Sequence, residues 1–479
     1  MKAIEESSRC LLCHEAPCTA ACPKGLDPAS AIRSIRFGNP NNAGAKFNSE
    51  DCAACNAPCE KACIQPDFPI RIKELSRGYE RREAPASRDL SIEFCGLKAE
   101  NPFFLGSAVE ASNYEMIARA LEAGWAGVCY KTISFIKIRE VSPRFDTIDK
   151  EEKNFIGFRN MEQLSEHTPE EDFETIARLK KDFPSKIVIA SIMGRNSGEW
   201  AELARLSEQA GADMVECNFS CPQMTEKGTG SDVGQNPDLV REYTRAVKSA
   251  TRVPVLVKMT PNITHIVEPA AAAIEGGADG IAAINTIKSI TLSYRSEVSG
   301  HCTISGYSGN AIKPIAQRMI LEMALDPRTA GIPMSGIGGV ESWLDAMEYI
   351  LLGCSFVQVV TSVMQYGYRI INDLVSGLSD YLDRRGEPSV EALRFKALNH
   401  YLPAEDLDRS TYVLPKIDRT KCIGCGRCYI SCSDGGHQAI SFEGREPRII
   451  GSRCVGCLLC ILICPMGAIT GTNRIPKRS

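Results

Sequence analysis

Sixteen of the 22 cysteines in this 479-residue chain crowd into two short stretches at its ends, and nothing else in the sequence limits the fold as tightly. Eight lie between Cys10 and Cys63 and eight between Cys422 and Cys464. Only Cys95, Cys129, Cys217, Cys221, Cys302 and Cys354 occupy the long middle. The start, MKAIEESSRC, has no apolar leader, so the clusters read as metal sites rather than disulfides, and a cytoplasmic location is expected.

Residues 422–432 read CIGCGRCYISC and residues 454–465 read CVGCLLCILICP. Both are C-x2-C-x2-C-x3-C, the spacing of a two-cluster ferredoxin. Two intervening residues let the chain wrap a cubane so that three thiolates reach three irons, and the fourth cysteine crosses to the other cluster. Cys422, Cys425, Cys428 and Cys464 are therefore expected on one [4Fe-4S] cluster, and Cys454, Cys457, Cys460 and Cys432 on the other. Zinc ribbons or a disulfide knot fit the duplicated run poorly.

Residues 10–23 (CLLCHEAPCTAACP) and 52–63 (CAACNAPCEKAC) carry looser spacings. The eight thiols Cys10, Cys13, Cys18, Cys22, Cys52, Cys55, Cys59 and Cys63 suit two further cubanes, giving four clusters in all. Zinc also fits such spacings. The polar, helically patterned stretch 27–47 between them points to a small helical module. His14 reads as a surface residue rather than a ligand.

Between about residues 88 and 385, apolar runs alternate with amphipathic segments. Strands are expected at Phe103–Ser107, Ala126–Lys131, Ile187–Ile192, Met214–Asn218, Pro254–Lys258, Gly280–Asn285, Ile332–Ser335 and Ser355–Val360. Helices are expected among them at Tyr114–Ala123, Trp200–Gln209, Pro269–Glu275 and Val340–Leu351. Eight strand–helix units make an α/β chain with a (β/α)8 TIM barrel, and segment 90–100 reads as a hairpin closing its floor. The expected domains are a helical iron–sulfur domain (1–85), the barrel (86–385), a linker (386–415) and a ferredoxin-like α+β domain (416–479). With 44% hydrophobic residues there is material for one barrel-sized core. The balance of 55 basic against 59 acidic residues speaks against nucleic acid, and no apolar run reaches the ~18 residues of a membrane span.

Barrel active sites sit at the carboxyl ends of the strands. Ser107, Lys131, Thr132, Asn218, Ser220, Cys221, Lys258, Asn285, Thr286, Gly338, Gly339, Thr361 and Ser362 fall there. The glycines after strand seven and the hydroxyls after strand eight suit a phosphate cradle. No G-x-G-x-x-G opens a strand–helix unit, and Gly228, Gly230 and Gly234 are wrongly spaced, so the phosphate points to FMN rather than a dinucleotide.

The segments NFSCPQ (218–223), YKTIS (130–134), FIGFRNME (155–162), VKMTPN (257–262), AAINT (282–286) and SGIGG (335–339) resemble the dihydropyrimidine dehydrogenase family, in its bacterial catalytic-subunit form. Dihydroorotate dehydrogenases share the barrel and part of these motifs. The first 80 residues are similar to the N-terminal cluster domain of the large dihydropyrimidine dehydrogenase and of the glutamate synthase small subunit. The FAD and NADPH domains of the large enzyme have no counterpart here.

The resemblance implies reduction of the C5=C6 bond of uracil or thymine, with Cys221 as general acid beside Ser220. It implies that Asn160, Asn218, Asn285 and Thr286 bind the pyrimidine. Ser107, Thr132, Lys131 and Lys258 would lie at the flavin, with Gly306, Gly338, Gly339, Thr361 and Ser362 in the phosphate region. It further implies Cys10, Cys13, Cys18 and Cys63 on one N-terminal cluster and Cys22, Cys55 and Cys59 on the other. The large enzyme supplies a glutamine as the last ligand of that second cluster. Ser76 stands near the matching place, and Cys52 is the substitute candidate. Gln223 stands where the large enzyme has a histidine. Residues 221–235 would form a lid, and Cys217, inside strand four, belongs to the core.

Electrons would enter from an FAD-containing NAD(P)H oxidoreductase subunit or a ferredoxin, within a homodimer or heterotetramer. Three other readings stay open. One is a dihydroorotate dehydrogenase with Arg159 on the orotate carboxylate; another is an electron-transfer subunit without chemistry of its own; the third is reduction of some other cyclic amide.

Overall fold

The computed structural model describes residues 3–47, 49–79, 88–150, 153–290 and 303–477. Cys302 and the expected boundary between residues 85 and 86 lie outside them.

Eight parallel strands close into a barrel in sequence order: β1 (Phe103–Leu105), β2 (Gly127–Ile133), β3 (Ile187–Ile192), β4 (Met214–Asn218), β5 (Val255–Lys258), β6 (Gly280–Ala283), β7 (Met334–Ile337) and β8 (Phe356–Val359). Every one of their residues is buried, the signature of strands covered on both faces. The main helices are α1 (Tyr114–Ala123), α2 (Pro169–Asp182), α3 (Ser197–Gln209), α4 (Pro237–Ala250), α5 (Val267–Glu275), α6 (Lys313–Leu325), α7 (Trp343–Leu351) and α8 (Ile371–Arg385).

Local chemistry sets their starts. Asn113, Asn196 and Asn236 cap α1, α3 and α4, and Thr168 with Glu171 closes a capping box on α2. Strand seven sits two residues later than expected. Pro333 has no N–H to give the ladder, though its carbonyl accepts from Ile281 at 3.0 Å. Helix α7 likewise begins at Trp343 rather than Val340, where Ser342 and Asp345 form its capping box. The floor hairpin is present at Ile92–Phe94 and Leu97–Ala99, with Phe94 stacked on Phe356 at 4.4 Å.

One element was not foreseen. The connections after β2 and β6 contribute Phe145–Lys150, Lys153–Asn160, Ile287–Ser289 and Ser305–Ser308, which pair as a four-stranded antiparallel sheet. This cap carries Asn160 and, beside it, Gly306.

The N-terminal helices enclose a small core of Ala31, Ile32, Ile35, Phe47, Ile70, Ile72 and Leu75. They dock on α8. Arg33 Nε meets Asp373 Oδ2 at 2.6 Å, Ser34 Oγ donates to Asp373 Oδ1 at 2.6 Å, and Asn39 donates to Ser376 Oγ at 2.7 Å. Trp343 Nε1 donates to the carbonyl of Gly38 at 3.1 Å, and Gly377 has no side chain because a Cβ there would lie 2.1 Å from the Trp343 ring. Arg369 donates to the carbonyls of Leu12 and Cys13.

Residues 400–479 form a second compact unit. In it Thr411–Ile417 pairs antiparallel with Ile469–Pro476, a hairpin spans Ile440–Glu443 and Glu446–Ile449, and helices run at Arg427–Gly435 and Leu459–Leu462. The segment expected as linker carries 3-10 turns, and its Val390 and Leu393 are buried in the barrel's core. Among the described residues no helix is long and apolar enough to cross a membrane.

Candidate functional site

A cavity opens at the carboxyl ends of the barrel strands. The sequence candidates Ser107, Lys131, Thr132, Asn160, Asn218, Cys221, Lys258, Asn285, Thr286, Gly338, Gly339, Thr361 and Ser362 all line it. Two candidates do not. Ser220 is fully buried behind the wall, where its hydroxyl donates to Asn218 Oδ1 at 2.8 Å and accepts from Asn285 Nδ2 at 2.9 Å. It orients two asparagines rather than meeting a ligand. Gly306 sits in the cap strand opposite Asn160, where a Cβ would press on Thr286 Oγ1 at 2.4 Å. Ser308 and Gly309, two and three residues on, are the ones that reach the cavity.

The polar wall is interlocked. Asn218 Nδ2 donates to Thr132 Oγ1 at 2.8 Å, and the Thr286 N–H donates to Asn285 Oδ1 at 2.7 Å. These bonds hold each amide in one orientation, so the groups left for a ligand are fixed before it arrives.

Both lysines are buried and paired. Lys258 Nζ lies 3.6 Å from Glu216 Oε1, and Glu216 Oε2 accepts from Gln358 Nε2 at 3.0 Å. Lys131 pairs with Glu162, which Arg144 also engages at 2.9 Å. Gln358 turns its amide nitrogen to the carboxylate, and its buried carbonyl oxygen is left without a partner in the cavity wall. Sequence reasoning missed Glu216, Gln358 and Glu162. A visible signal existed for the first: a lone acid inside the apolar run of strand four.

The residues fit FMN. Gly338 and Gly339 have φ of +126° and +69°, and a Cβ on Gly339 would come within 2.8 Å of Lys313 Cβ and 3.0 Å of the Gly309 carbonyl. With Ser308 and Thr361, whose hydroxyls are 3.2 Å apart, they form a small-residue cradle for a phosphate. Two buried cations and an unpartnered carbonyl suit an electron-accepting ring that carries an N–H.

Cys221 is 5% exposed at the cavity wall. Burial pushes its thiol up to about 11, against the opposing pull of the Gln223 backbone N–H. The loop that follows folds back tightly: the Ser231 N–H donates to the Cys221 carbonyl at 2.9 Å, and a Cβ on Gly234 would stand 2.1 Å from the Phe219 carbonyl. Gln223 Nε2 donates to the Glu162 carbonyl at 2.7 Å, and the Thr225 N–H donates to Gln163 Oε1 at 3.0 Å, so the cap holds the loop. Cys217 is buried in β4, where burial likewise raises its thiol.

The terminal thiols ring cavities of their own. One of about 350 Å³ is lined by Cys422, Cys425, Cys428 and Cys464, and one of about 380 Å³ by Cys432, Cys454, Cys457 and Cys460, the crossed sets that the spacing implies. The Ala439 N–H points at Cys432 Sγ (3.2 Å) and the Ala468 N–H at Cys464 Sγ (3.3 Å). At the other end, Cys22, Cys52, Cys55 and Cys59 line a third cavity of about 380 Å³. Cys10 and Cys18 are raised by burial, with Cys13 adding to both and Cys63 to Cys10, which places these four thiols together. Ser76 is buried and donates to the carbonyl of Lys73, which lines the third cavity, at 2.9 Å, while Ser76 itself does not line it, and His14 is exposed. Among the described residues no three His, Cys, Asp or Glu side chains converge on one point.

The comparisons agree with this geometry. The family model described as "Dihydroorotate dehydrogenase" matches residues 89–382, "4Fe-4S dicluster domain" matches 415–470, and "Dihydropyrimidine dehydrogenase domain II, 4Fe-4S cluster" matches 1–85. The NAD-dependent dihydropyrimidine dehydrogenase subunit PreA of Escherichia coli (strain K12) is 56% identical over 362 residues, covering 74% of this chain and 88% of that protein. The chloroplastic dihydropyrimidine dehydrogenase (NADP(+)) of Arabidopsis thaliana is 38% identical, covering 68% and 80%. The dihydroorotate dehydrogenase B (NAD(+)) catalytic subunit of Pyrococcus horikoshii is 36% identical, covering 63% and 96%. Among solved structures, the Eimeria tenella dihydroorotate dehydrogenase in complex with ferulenol matches with TM-score 0.56 at 22% identity, over 67% of this chain and 92% of that one, a likeness of fold.

Proposed function

The chain belongs to the dihydroorotate dehydrogenase family, and from that premise we propose that it reduces the C5=C6 bond of uracil or thymine. It is a dihydropyrimidine dehydrogenase-type oxidoreductase, acting in the reductive breakdown of pyrimidines. The observation that carries the reading is one wall: a buried, protonated Cys221 and the interlocked amides of Asn218 and Asn285 face the cavity that also holds two buried cations and a phosphate cradle.

Ser107, Lys131, Thr132, Lys258, Gly338, Gly339, Thr361 and Ser362 would hold FMN. When bound, that group supplies the hydride for C6. The protein supplies the rest. Asn160, Asn218, Asn285 and Thr286 present donors and acceptors to the alternating C=O and N–H edge of the pyrimidine. Cys221 holds the proton for C5 on its sulfur, and burial keeps it there at neutral pH. Lys258, held by Glu216, keeps a positive charge at the cavity floor. Gln223 does not titrate; it ties the Cys221 loop to the cap.

A carboxylated substrate is less well served. Arg159 donates to Ser305 Oγ at 2.7 Å and does not line the cavity, and among the described residues no guanidinium lines it. The test is a side-by-side assay of uracil, thymine and orotate with reduced methyl viologen as donor. Turnover of the first two over orotate is expected; orotate or dihydroorotate alone would overturn the reading.

Sixteen thiolates would carry four [4Fe-4S] clusters, in the sets Cys10/Cys13/Cys18/Cys63, Cys22/Cys52/Cys55/Cys59, Cys422/Cys425/Cys428/Cys464 and Cys432/Cys454/Cys457/Cys460. Electrons would come from a separate FAD-containing NAD(P)H oxidoreductase or a ferredoxin, with the chain in a homodimer or heterotetramer. The name of the bacterial relative, an NAD-dependent enzyme's subunit, supports the first donor. Cys52→Ala is expected to lower iron per chain by a quarter, and Ser76→Ala to leave it unchanged. Iron and sulfide analysis of anaerobic protein checks this, and the reverse result would return the fourth ligand to Ser76.

A further inference from the structure

Reducing one C=C bond consumes two electrons and two protons. Cys221 accounts for one proton. The hydride carries both electrons and the second proton, yet iron–sulfur clusters bring electrons alone. A proton must therefore reach the flavin through this chain at every turnover, an inference that rests on the flavin reading of the main cavity.

Most titratable groups around that cavity are already engaged. Lys131 is paired with Glu162, and Lys258 with Glu216. Glu341 lies at the phosphate end, facing Arg36, Lys313 and Asp345. Glu110 differs. It follows β1 in the turn Val109–Ala111, is 3% exposed, and neither carboxyl oxygen has a hydrogen-bond partner on another of the described residues. It lines a second cavity, open to solvent, that shares Val109, Phe145, Phe158 and Met364 with the main one. Leaving a carboxyl buried without partners costs stability. Glu110 lines the solvent-open cavity, and Val109, the residue before it, lines both.

We propose that Glu110 hands this proton to the flavin. As a reduced iron–sulfur or flavoprotein donor supplies two electrons, the carboxyl O–H bond breaks and its proton goes to the reduced ring. The carboxylate then takes a replacement from water in the second cavity. With the proton from Cys221, one C=C bond gains two electrons and two protons. The charges facing Glu110 are Lys131 from β2, Lys258 from β5 and Glu162 from the end of the cap; Tyr368, with Arg119 over its ring, flanks it and donates to its backbone carbonyl at 2.8 Å. Burial outweighs the two lysines and pushes the carboxyl up to about 8, so the acid form prevails at neutral pH and is lost as pH rises through that value.

Two measurements test this without pyrimidine, so failure of the pyrimidine reading would not be mistaken for failure here. In flavin-free protein, infrared spectra should show a protonated-carboxyl C=O band that titrates away at about pH 8 and is absent in Glu110→Gln. In FMN-loaded protein mixed anaerobically with reduced methyl viologen, flavin reduction should slow as pH rises through about 8. It should fall ~100-fold and lose that pH dependence in Glu110→Gln, and regain part of both in Glu110→Asp. A wild-type spectrum without the band, or a Gln variant reduced at the wild-type rate with the wild-type pH profile, overturns the proposal. Should the Gln variant fail to fold, the wild-type band and the Asp variant decide.

Discussion

Replacing Cys221 with alanine is expected to slow pyrimidine reduction by about 10³-fold while FMN content, and reduction of that FMN by viologen, stay at wild-type levels. The reason is the division of labour at the cavity. The thiol is the acidic S–H in the wall beside Asn218 and Asn285, and the phosphate cradle is built from other strands. Alanine removes the proton donor and little volume. Cys221→Ser keeps the shape but offers a poorer acid, so it should recover only a small part of the rate. The pH dependence has a definite sign. Burial raises this thiol to about 11, so the protonated form persists across the neutral range, and loss of rate from its ionisation should begin only as pH approaches that value. Single-turnover kinetics over a pH series separates this limb from the one assigned to Glu110. Wild-type turnover in the alanine variant would remove Cys221 from the chemistry.

The second large effect concerns stability. Asp373 is fully buried on α8 and accepts from Arg33 Nε and Ser34 Oγ, each at 2.6 Å. Asp373→Ala leaves the Arg33 guanidinium buried and unpaired, and should cost about 3–5 kcal/mol. The double replacement Arg33→Met with Asp373→Leu removes both charges and should recover most of the loss, because a buried pair contributes less than either broken half costs. Denaturation midpoints together with limited proteolysis of the N-terminal helices check both. Arg369 holds the carbonyls of Leu12 and Cys13, so loosening this contact should also lower iron retention at the first thiol set. A single variant as stable as wild type would show that the docking rests on the aromatic contacts, such as Phe37 edge-on to Tyr366 at 5.2 Å, instead.

The expectations that held came from short-range patterns. The 4Fe-4S dicluster character of the C-terminus was legible because two-residue spacings let neighbouring thiols wrap one cubane. The barrel was legible because strands buried on both faces must be apolar throughout. The misplacements were equally local: Pro333 delays β7, and Ser342 delays α7.

Other features had no local signature. The cap sheet is made of short strands from two distant connections, and its pairing exists only after the barrel brings those loops together. Ser220 and Cys221 are adjacent, yet one turns behind the wall and the other into the cavity.

From the sequence by itself came the barrel and the iron–sulfur character of both ends, since each depends on the period of a strand or the reach of a few residues. Only the tertiary structure decided that Glu216 and Glu162 hold the two lysines, that Cys52 lines one cavity with Cys22, Cys55 and Cys59, that Glu110 lies buried at a second, solvent-open cavity, and that the N-terminal helices lock onto α8. A buried charge becomes tolerable only when a partner from elsewhere in the chain arrives beside it, and spacing along the chain carries no record of that distance.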